Sequence, residues 1–369
     1  MKMSEEENEV IIEEKKKLHV RYEWLDQFRG LIIIFLIISV ITWPLSGNPN
    51  LPGSTWIGPP LLNHGFKYLN GWPPLITIID IGQQIFMFVL GFVGYIAFTS
   101  RREKRGLGAA WKHGLIRVAI LYILAFLDDG LIGGLISNGS IPWDEVLWYG
   151  TLANLAIGTF AAYLFTYLMP KNADRRMLIA IGIMVIHAIL YATGIFDYKG
   201  PLPGGTLVFP FNAFNHAAIA IAATCFSQWY RLDPQDPKVG FKKRILPAAT
   251  IFIIAFYCFD WIQPAEHHDA TTSLALLAIA ASGFLIAVFY GFELMKFKVP
   301  VLSEMGRNML FLFIFAFIFD IIIGLLMDSS RDFFASNPLI TMLLFGVLPI
   351  AIEAGIAMLF ARLKWIIKI

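Results

Sequence analysis

Long apolar runs separated by short polar segments dominate this chain and predict its secondary structure. Ten runs approach the length of a membrane span: 30–46, 75–99, 114–136, 146–168, 177–196, 213–230, 245–262, 272–295, 308–327 and 339–361. A helix needs about 20 apolar residues to cross a bilayer. The pattern therefore predicts an all-α, polytopic integral membrane protein with about ten transmembrane helices. We expect the third run to be kinked or partly non-helical, because Asp128 and Asp129 precede the sequence GLIGG there.

The composition supports a membrane protein and leaves no room for a separate soluble domain. The 369 residues are 57% hydrophobic and only 15% charged, with a mean hydropathy of +0.66. A soluble domain of this size needs more polar surface. We divide the chain into a charged tail, 1–23, and one transmembrane domain, 24–369. The tail lacks the apolar core of a cleavable signal peptide, so we expect it to be cytoplasmic.

The distribution of positive charge predicts the topology. When ten spans alternate, all of the 29 Lys and Arg residues except Lys67, Lys199 and Arg331 fall on the side of the N-terminus. Positive residues are enriched on the cytoplasmic side of membrane proteins. We therefore expect both termini to be cytoplasmic in a multi-pass protein of the cell membrane, or of an organelle membrane in a eukaryote. A nucleic-acid partner is not expected.

The second span carries polar groups where lipid-facing residues would be apolar. Asp80, Gln83 and Gln84 lie in its outer half, although an ionisable group inside a bilayer costs about 2.5–3.5 kcal/mol. His64 precedes them in the first outer loop and is of the residue type that serves as a general base, with Asp80 in a position to orient it. The alternatives are a surface histidine and an aspartate that only bonds a neighbouring hydroxyl or amide.

Further polar residues cluster at the outer ends of the sixth and eighth spans. Together with Gln83 and Gln84, we predict that they bind an acceptor substrate: Asn215, His216, His267, His268 and Asp269. Three histidines and a carboxylate on one side also suit a transition metal, but their spacing matches no metal motif, so no metal is expected. Helix capping is the alternative role for Asn215 and Asp269.

The segment 100–117 is strongly basic and lies on the predicted cytoplasmic side. Anchoring to anionic lipid accounts for such a cluster, and arginine is also suited to bidentate contacts with phosphate. Arg29 and Arg117 are the better phosphate ligands, because each is at the buried edge of a span. The sequence contains neither a Walker loop nor a GxGxxG loop that would indicate a nucleotide.

Two motifs resemble a known family, the transmembrane acyltransferases related to heparan-alpha-glucosaminide N-acetyltransferase. WLDQFRGLIIIFLI (24–37) resembles the family's opening element, and DIGQQIFMFVLG (80–91) resembles its second-span element. GRNMLFLF (306–313) is similar to a later element, and GTLANLAIG (150–158) is similar to a fourth-span element. The chain departs from the family pattern at Gln84, Asn154 and Phe313.

The resemblance implies an activity, a cosubstrate and a histidine with a role. In this family an acyl-CoA enters from the cytoplasm, and its acyl group meets a histidine near the far face, here His64. The implied reaction moves an acyl group, acetyl above all, to a hydroxyl or amine of a glycan or lipid outside. The implied CoA-binding residues share basic or amide side chains on the cytoplasmic side: Arg29, Arg101, Arg102, Arg105, Arg117 and Asn308. A homodimer in the lipid bilayer is compatible with this function.

Two alternatives remain open at the level of sequence. A transporter or channel would use a polar path made by the intramembrane aspartates and His187, but we find no repeat between the two halves of the chain, as many carriers have. A non-catalytic accessory subunit is the second alternative, favoured by the departures at Gln84, Asn154 and Phe313.

Overall fold

The computed structural model describes residues 22–46, 76–136, 139–143, 146–147, 150–193, 211–233, 236–265 and 270–365. These residues form helices and connecting turns, and no β-strand occurs among them. The predicted all-α class is thus confirmed for the described part of the chain. His64, His267, His268 and Asp269 are outside it.

In the first half, the described residues form these elements: α1 (Glu23–Ser46), α2 (Ile78–Arg105), α3 (Leu107–Ala125), π1 (Phe126–Ile136), α4 (Thr151–Leu168) and α5 (Ala173–Ala192). The second half contains the remaining elements: α6 (Phe211–Tyr230), α7 (Pro237–Gly240), π2 (Phe241–Ile245), α8 (Leu246–Asp260), α9 (Thr272–Leu294), α10 (Pro300–Arg307), α11 (Met309–Ser336), α12 (Pro338–Thr341), π3 (Met342–Val347) and α13 (Leu348–Arg362).

Five helices of the described chain are long and apolar enough to cross a membrane: Asp80–Arg105, Thr151–Leu168, Ala173–Ala192, Thr272–Leu294 and Leu339–Arg362. A sixth results if Pro300–Arg307 and Met309–Ile323, which meet at an angle of 88°, count as one broken span. Each of the ten apolar runs overlaps a helix, but α8 has only 15 residues, about 22 Å at 1.5 Å per residue. The protein is therefore a multi-pass helical membrane protein, while ten spans and cytoplasmic termini stay predictions.

The third apolar run departs from regular α-helix at the expected place, but it stays helical instead of becoming partly non-helical. Regular α-helix ends at Ala125, and the chain continues as π1, which includes Asp128 and Asp129. A π-helix widens the turn and leaves the i to i−4 hydrogen-bond pattern. The irregularity is thus a change of helix type instead of a break.

Helices α2, α4 and α6 pack against one another and run in the same direction. A Cβ on Gly158 of α4 would lie 2.3 Å from the Met87 sulfur of α2 and 3.3 Å from the His216 carbonyl oxygen of α6. One turn further along α2, a Cβ on Gly91 would lie 2.3 Å from the carbonyl oxygen of Ala220. A second level also joins α2 and α4, because a Cβ on Gly94 would lie 3.3 Å from the Tyr163 ring. These paired levels show that the three helices begin at the same end of the bundle.

Arg176 at the start of α5 ties this group together. Its side chain is fully buried and donates hydrogen bonds to the carbonyl oxygen of Met169 at 2.5 Å and to Gln228 Oε1 at 2.7 Å. The guanidinium carbon lies 5.0 Å from the centre of the Tyr95 ring, a cation–π contact. A buried charge is costly unless hydrogen-bonded, so we assign Arg176 a structural role at the junction of α4, α5 and α6.

Helix α1 packs most closely against the short helix α10. A Cβ on Gly30 would lie 1.9 Å from the carbonyl oxygen of Leu302, and one on Gly306 would lie 1.8 Å from that of Asp26. Side chains cannot be accommodated at these distances, so the two glycines allow the backbones to touch. The contact fixes α10 across the start of α1.

Candidate functional site

A basic cavity lies between the C-terminal end of α2 and the first turns of α3. Its volume is about 340 Å³. The lining residues are four cationic side chains, one histidine and an apolar wall: Arg101, Arg105, Lys112, Arg117, His113, Ala109, Ile116 and Ile120. Among the described residues no Asp or Glu lines it. We call it the basic cavity.

Helical spacing and one glycine bring these side chains together. Arg101 and Arg105 are four residues apart on α2, and His113 and Arg117 are four apart on α3, so each pair shares a helix face. Gly106 connects the two helices with a φ of 85°, a conformation that glycine adopts without the steric penalty of a Cβ. The turn folds α3 back so that its basic face meets the basic end of α2.

A hydrogen bond joins the two sides of the basic cavity. Arg101 Nη2 lies 2.7 Å from His113 Nε2. Arginine has no acceptor atom, so it donates and the imidazole accepts, which makes His113 neutral with its hydrogen on Nδ1. Partial burial, and then the nearby charges of Arg101 and Arg117, lower the pKa of His113 below its ordinary value. This histidine precedes the third apolar run.

Arg117 has unused hydrogen-bonding capacity in the basic cavity. Its Nε atom is buried and meets no acceptor among the described residues. A site with several cations, an unsatisfied N–H and an apolar wall is suited to a multiply charged anion attached to an apolar or aromatic group.

The opposite end of α2 carries Asp80, and its carboxylate closes the first turn of that helix. Asp80 Oδ2 accepts from the Thr77 backbone N–H at 2.8 Å and from Thr77 Oγ1 at 3.1 Å. This is a capping box, in which the cap residue and the third residue of the helix satisfy each other. The bond to a neighbouring hydroxyl is the alternative role that the sequence left open, and the catalytic role of Asp80 stays a prediction.

A layer of buried polar side chains crosses α2, α4 and α6 near the end at which they begin. We define the polar layer as Gln84, Asn154, Asn215 and His216, all at most 2% exposed. His216 is at the level where Met87 of α2 contacts Gly158 of α4. Gln84 and Asn154 lie about one turn before this contact on α2 and α4, respectively. Asn215 Nδ2 donates to the Ala270 carbonyl at 2.7 Å. Gln83 beside the layer is partly buried.

The polar layer has unsatisfied hydrogen-bonding atoms. Both amide atoms of Gln84 are buried without a hydrogen-bond partner among the described residues, and so is Asn215 Oδ1. Leaving a buried polar group unsatisfied costs about 1–3 kcal/mol. A bound polar ligand would supply hydrogen-bond partners for these groups and would explain why they are buried there. Gln84 and Arg101 are 17 residues apart on one continuous helix, about 25 Å at 1.5 Å per residue.

Comparison with protein families matches residues 22–358 to an acyltransferase domain. The chain belongs to this acyltransferase family. The match begins at the start of α1 and ends within α13. It does not establish a specific relation to heparan-alpha-glucosaminide N-acetyltransferase. No curated protein matches the chain.

The acyltransferase brings together only part of the predicted phosphate-binding set. Arg101, Arg105 and Arg117 line the basic cavity, whereas Arg102 does not. Lys112 and His113 line it as well, and the sequence interpretation missed both. The signal that could have found them is the spacing of His113 and Arg117, four positions apart on a helix that follows a glycine, with Lys112 next to His113.

Arg29 and Asn308 lie elsewhere, in a charged cluster where α1 meets α10. Arg29 Nη1 is 3.3 Å from Asp26 Oδ1. Asn308 Nδ2 donates to the Glu304 carbonyl oxygen at 3.3 Å. Their predicted contacts with phosphate stay predictions, and Arg29 would have to leave or share its carboxylate partner to make them.

Arg307 forms ion pairs with the three carboxylates of this charged cluster. Its guanidinium is 3.7 Å from Glu23 Oε2 and 3.8 Å from Asp26 Oδ2, and it also pairs with Glu304. Ser303 Oγ donates to Glu23 Oε1 at 2.5 Å. With three carboxylates and two arginines, the cluster is a less suitable phosphate site than the basic cavity.

Within the described ranges, no group of three or more His, Cys, Asp or Glu side chains is arranged to hold a metal ion. The outer residues His64, His267, His268 and Asp269 are outside those ranges.

Proposed function

We propose that this acyltransferase takes its acyl group from an acyl-CoA whose phosphates occupy the basic cavity. The observation that carries the proposal is the convergence of Arg101, Arg105, Lys112 and Arg117 on one cavity of about 340 Å³. CoA carries a diphosphate and a 3′-phosphate, and arginine contacts phosphate oxygens in pairs. The apolar wall formed by Ile116 and Ile120 offers a surface for the nucleoside.

In this proposal the thioester end of the acyl-CoA reaches the acceptor substrate near the polar layer. Gln84 offers an amide donor and an amide acceptor without protein partners among the described residues, which suits the hydroxyl groups of a sugar or lipid head group. We propose an acetyl group as the acyl group and an extracytoplasmic glycan or lipid as the acceptor. His267, His268 and Asp269 would line the entrance for the acceptor.

The chemistry would require one base. The acceptor oxygen or nitrogen attacks the thioester carbon, the carbon–sulfur bond breaks, and CoA leaves as the thiolate. His64 would take the proton from the acceptor and return it to the thiolate, or would carry the acyl group transiently as an acyl-imidazole. Asp80 would orient His64 or bind the acceptor, and its bond to Thr77 fixes the start of α2.

The proposed orientation places the basic cavity at the cytoplasmic face. The excess of Lys and Arg on one side of the apolar runs supports it. The resemblance of segments 24–37 and 80–91 to the enzymes related to heparan-alpha-glucosaminide N-acetyltransferase supports transfer across the membrane. Ten spans and cytoplasmic termini belong to this proposal.

A binding isotherm tests the proposed cosubstrate. Acetyl-CoA is titrated into the detergent-purified full chain, with 3′-dephospho-CoA as the second ligand. We expect saturable binding that weakens at least several-fold without the 3′-phosphate. In Arg117→Ala, acetyl-CoA affinity should fall at least about tenfold, because a charge-assisted hydrogen bond is worth about 1.5–3 kcal/mol.

Lys104→Gln is the matched control for Arg117→Ala. Lys104 belongs to the same basic stretch but is exposed and does not line the basic cavity, so its loss should leave the affinity nearly unchanged. An equal effect of both variants would mean that only general positive charge matters. Absence of binding at millimolar acetyl-CoA would overturn the proposal.

Anionic lipid is a second source of phosphate for the same cavity. The isotherm is therefore repeated in nanodiscs of zwitterionic lipid and of anionic lipid. Similar affinities for acetyl-CoA in both kinds of nanodisc mean that lipid phosphate does not compete for the cavity. If the affinity for acetyl-CoA falls strongly in anionic lipid, and the fall remains after correction for ionic strength, the cavity holds a lipid phosphate instead.

A further inference from the structure

The basic cavity contains a hydrogen bond that an entering phosphate has to replace. Arg101 donates to His113 Nε2 at 2.7 Å, so one of the five N–H groups of the arginine points at the imidazole and not into the cavity. Both residues line the cavity. The lone pair of the neutral Nε2 is occupied by this bond, so Nε2 has no N–H to donate to a phosphate oxygen.

We propose that His113 is a ligand-binding residue of this cavity, which gains a proton and releases Arg101 when a phosphate enters. The inference rests on the proposed function of the cavity. The Arg101 N–H···Nε2 hydrogen bond breaks, and a proton from solvent forms a new N–H on Nε2. The imidazolium then donates to one phosphate oxygen, and the freed Arg101 donates to another. The imidazole is recovered by loss of the proton when the ligand leaves.

The charges around His113 give the direction of this change. Arg101 and Arg105 face it from α2, and Lys112 and Arg117 lie beside it on α3. From α4 the uncharged ring of Tyr163 packs behind α3 at Gly114. Asp128 and Asp129 in π1 are about 22 Å away along the helix, given 1.5 Å per residue.

Among the described residues, the charged side chains that line the cavity with His113 are all positive. Burial, as the larger cause, and the positive neighbours lower its pKa. A phosphate dianion in the cavity offsets part of this positive charge and accepts a hydrogen bond from the protonated ring. Both effects raise the pKa of His113 in the complex. Binding and proton uptake are then linked, so each strengthens the other.

The linkage predicts how affinity changes with pH. Above the pKa of the complex the ring is neutral in both states and affinity is flat. Below it, and down to the lower pKa of His113 in the unliganded protein, only the complex holds the extra proton. In this range affinity rises as the pH falls, by at most about tenfold per pH unit for one proton. The lower end of this window lies below the ordinary histidine value of about 6.5.

Calorimetry measures the proton directly. CoA is titrated into the full chain in detergent at several pH values from 6 to 8, in two phosphate-free buffers of different ionisation enthalpy. The dependence of the apparent enthalpy on the buffer gives the protons taken up per CoA bound. The variant is His113→Gln, because glutamine can still accept from Arg101 but does not titrate in this range. Lys104→Gln serves as the control for a lost titratable surface group.

We expect wild-type protein and Lys104→Gln to take up more protons than His113→Gln, by up to one proton per CoA near pH 6.5. The subtraction removes protons that the 3′-phosphate of CoA itself exchanges, since all three proteins bind the same ligand. The rise in affinity at lower pH should flatten in His113→Gln. Equal uptake in wild type and His113→Gln would overturn the inference and leave the proposed function standing. Absence of CoA binding in all proteins would overturn both.

Discussion

Gln84 illustrates how a single buried side chain can indicate function. Its amide is at the centre of a packed helix group, 1% exposed, and neither polar atom has a partner in the described part of the chain. An apolar residue of similar size would fold better at this position. A residue that costs stability is retained most readily when a ligand uses it.

Replacing Gln84 by leucine should therefore separate stability from activity. In Gln84→Leu we expect an unchanged or higher melting temperature in detergent, because an unsatisfied amide worth about 1–3 kcal/mol is removed. Acyl transfer should fall, with the KM for the acceptor rising more than the KM for acetyl-CoA. A destabilised variant with normal transfer would mean that Gln84 only supports packing.

His64 is the residue on which the proposed chemistry depends most. His64→Ala should abolish transfer while acetyl-CoA binding and expression remain, because the proposed mechanism assigns the histidine to the acceptor side and CoA binding to the basic cavity. Transfer and the binding isotherm are measured on the same preparation. Full activity in this variant would end the proposed mechanism, and loss of binding as well would indicate a folding defect.

Sequence analysis could identify residue types but not all of their partners. It selected Arg101, Arg105 and Arg117 from charge and position, and these do line one cavity. It could not foresee that Arg29 pairs with Asp26, because the charged cluster depends on Arg307, nearly 280 positions away, and on how α10 folds against α1. His113 was overlooked because its importance comes from Arg101 on the preceding helix.

At the scale of elements, the contact between α1 and α10 depends on two glycines. Gly306→Ala would bring a methyl group to within 1.8 Å of the Asp26 carbonyl oxygen, which requires the helices to separate. We expect a loss of stability of at least about 2 kcal/mol, as for overpacked cores, measured as a lower melting temperature in detergent. Separation would also disturb the ion pairs of Arg307.

Gly355→Ala is the matched control in α13. No atom lies within 4 Å of a Cβ built at Gly355, and alanine has the higher helix propensity. The melting temperature should therefore stay the same or rise slightly. If Gly306→Ala were as harmless as this control, the close approach of α1 and α10 would be wrong.

Hydrophobic periodicity was sufficient to locate the helices but not to predict their detailed geometry. The ten apolar runs all overlap helices, because an apolar run in a membrane has to satisfy its backbone internally. The π-helical geometry of π1, π2 and π3 and the 88° bend at Asn308 were not predictable as such. They depend on how neighbouring helices pack, and the apolar pattern contains no such information.

At the scale of the whole molecule, the proposed function uses the two ends of one helix. The basic cavity and the polar layer are about 25 Å apart along α2, close to the roughly 30 Å of a hydrocarbon core. A donor held at one end and an acceptor at the other can react only if a chain as long as the arm of CoA connects them. This arrangement agrees with transfer across a membrane.

The pairing of α1 with α10 also has a consequence for biosynthesis. Ser303 bonds to Glu23, and the Val299 N–H bonds to Gln27, across more than 270 positions of sequence. At about 5–20 residues per second, the ribosome needs roughly 15–55 seconds to make the partner of α1 after α1 itself has emerged. During that time Asp26 lacks Arg307, and the backbone at Gly30 has no helix against it. The nascent chain therefore passes through an exposed intermediate, and the first helix completes its packing among the last.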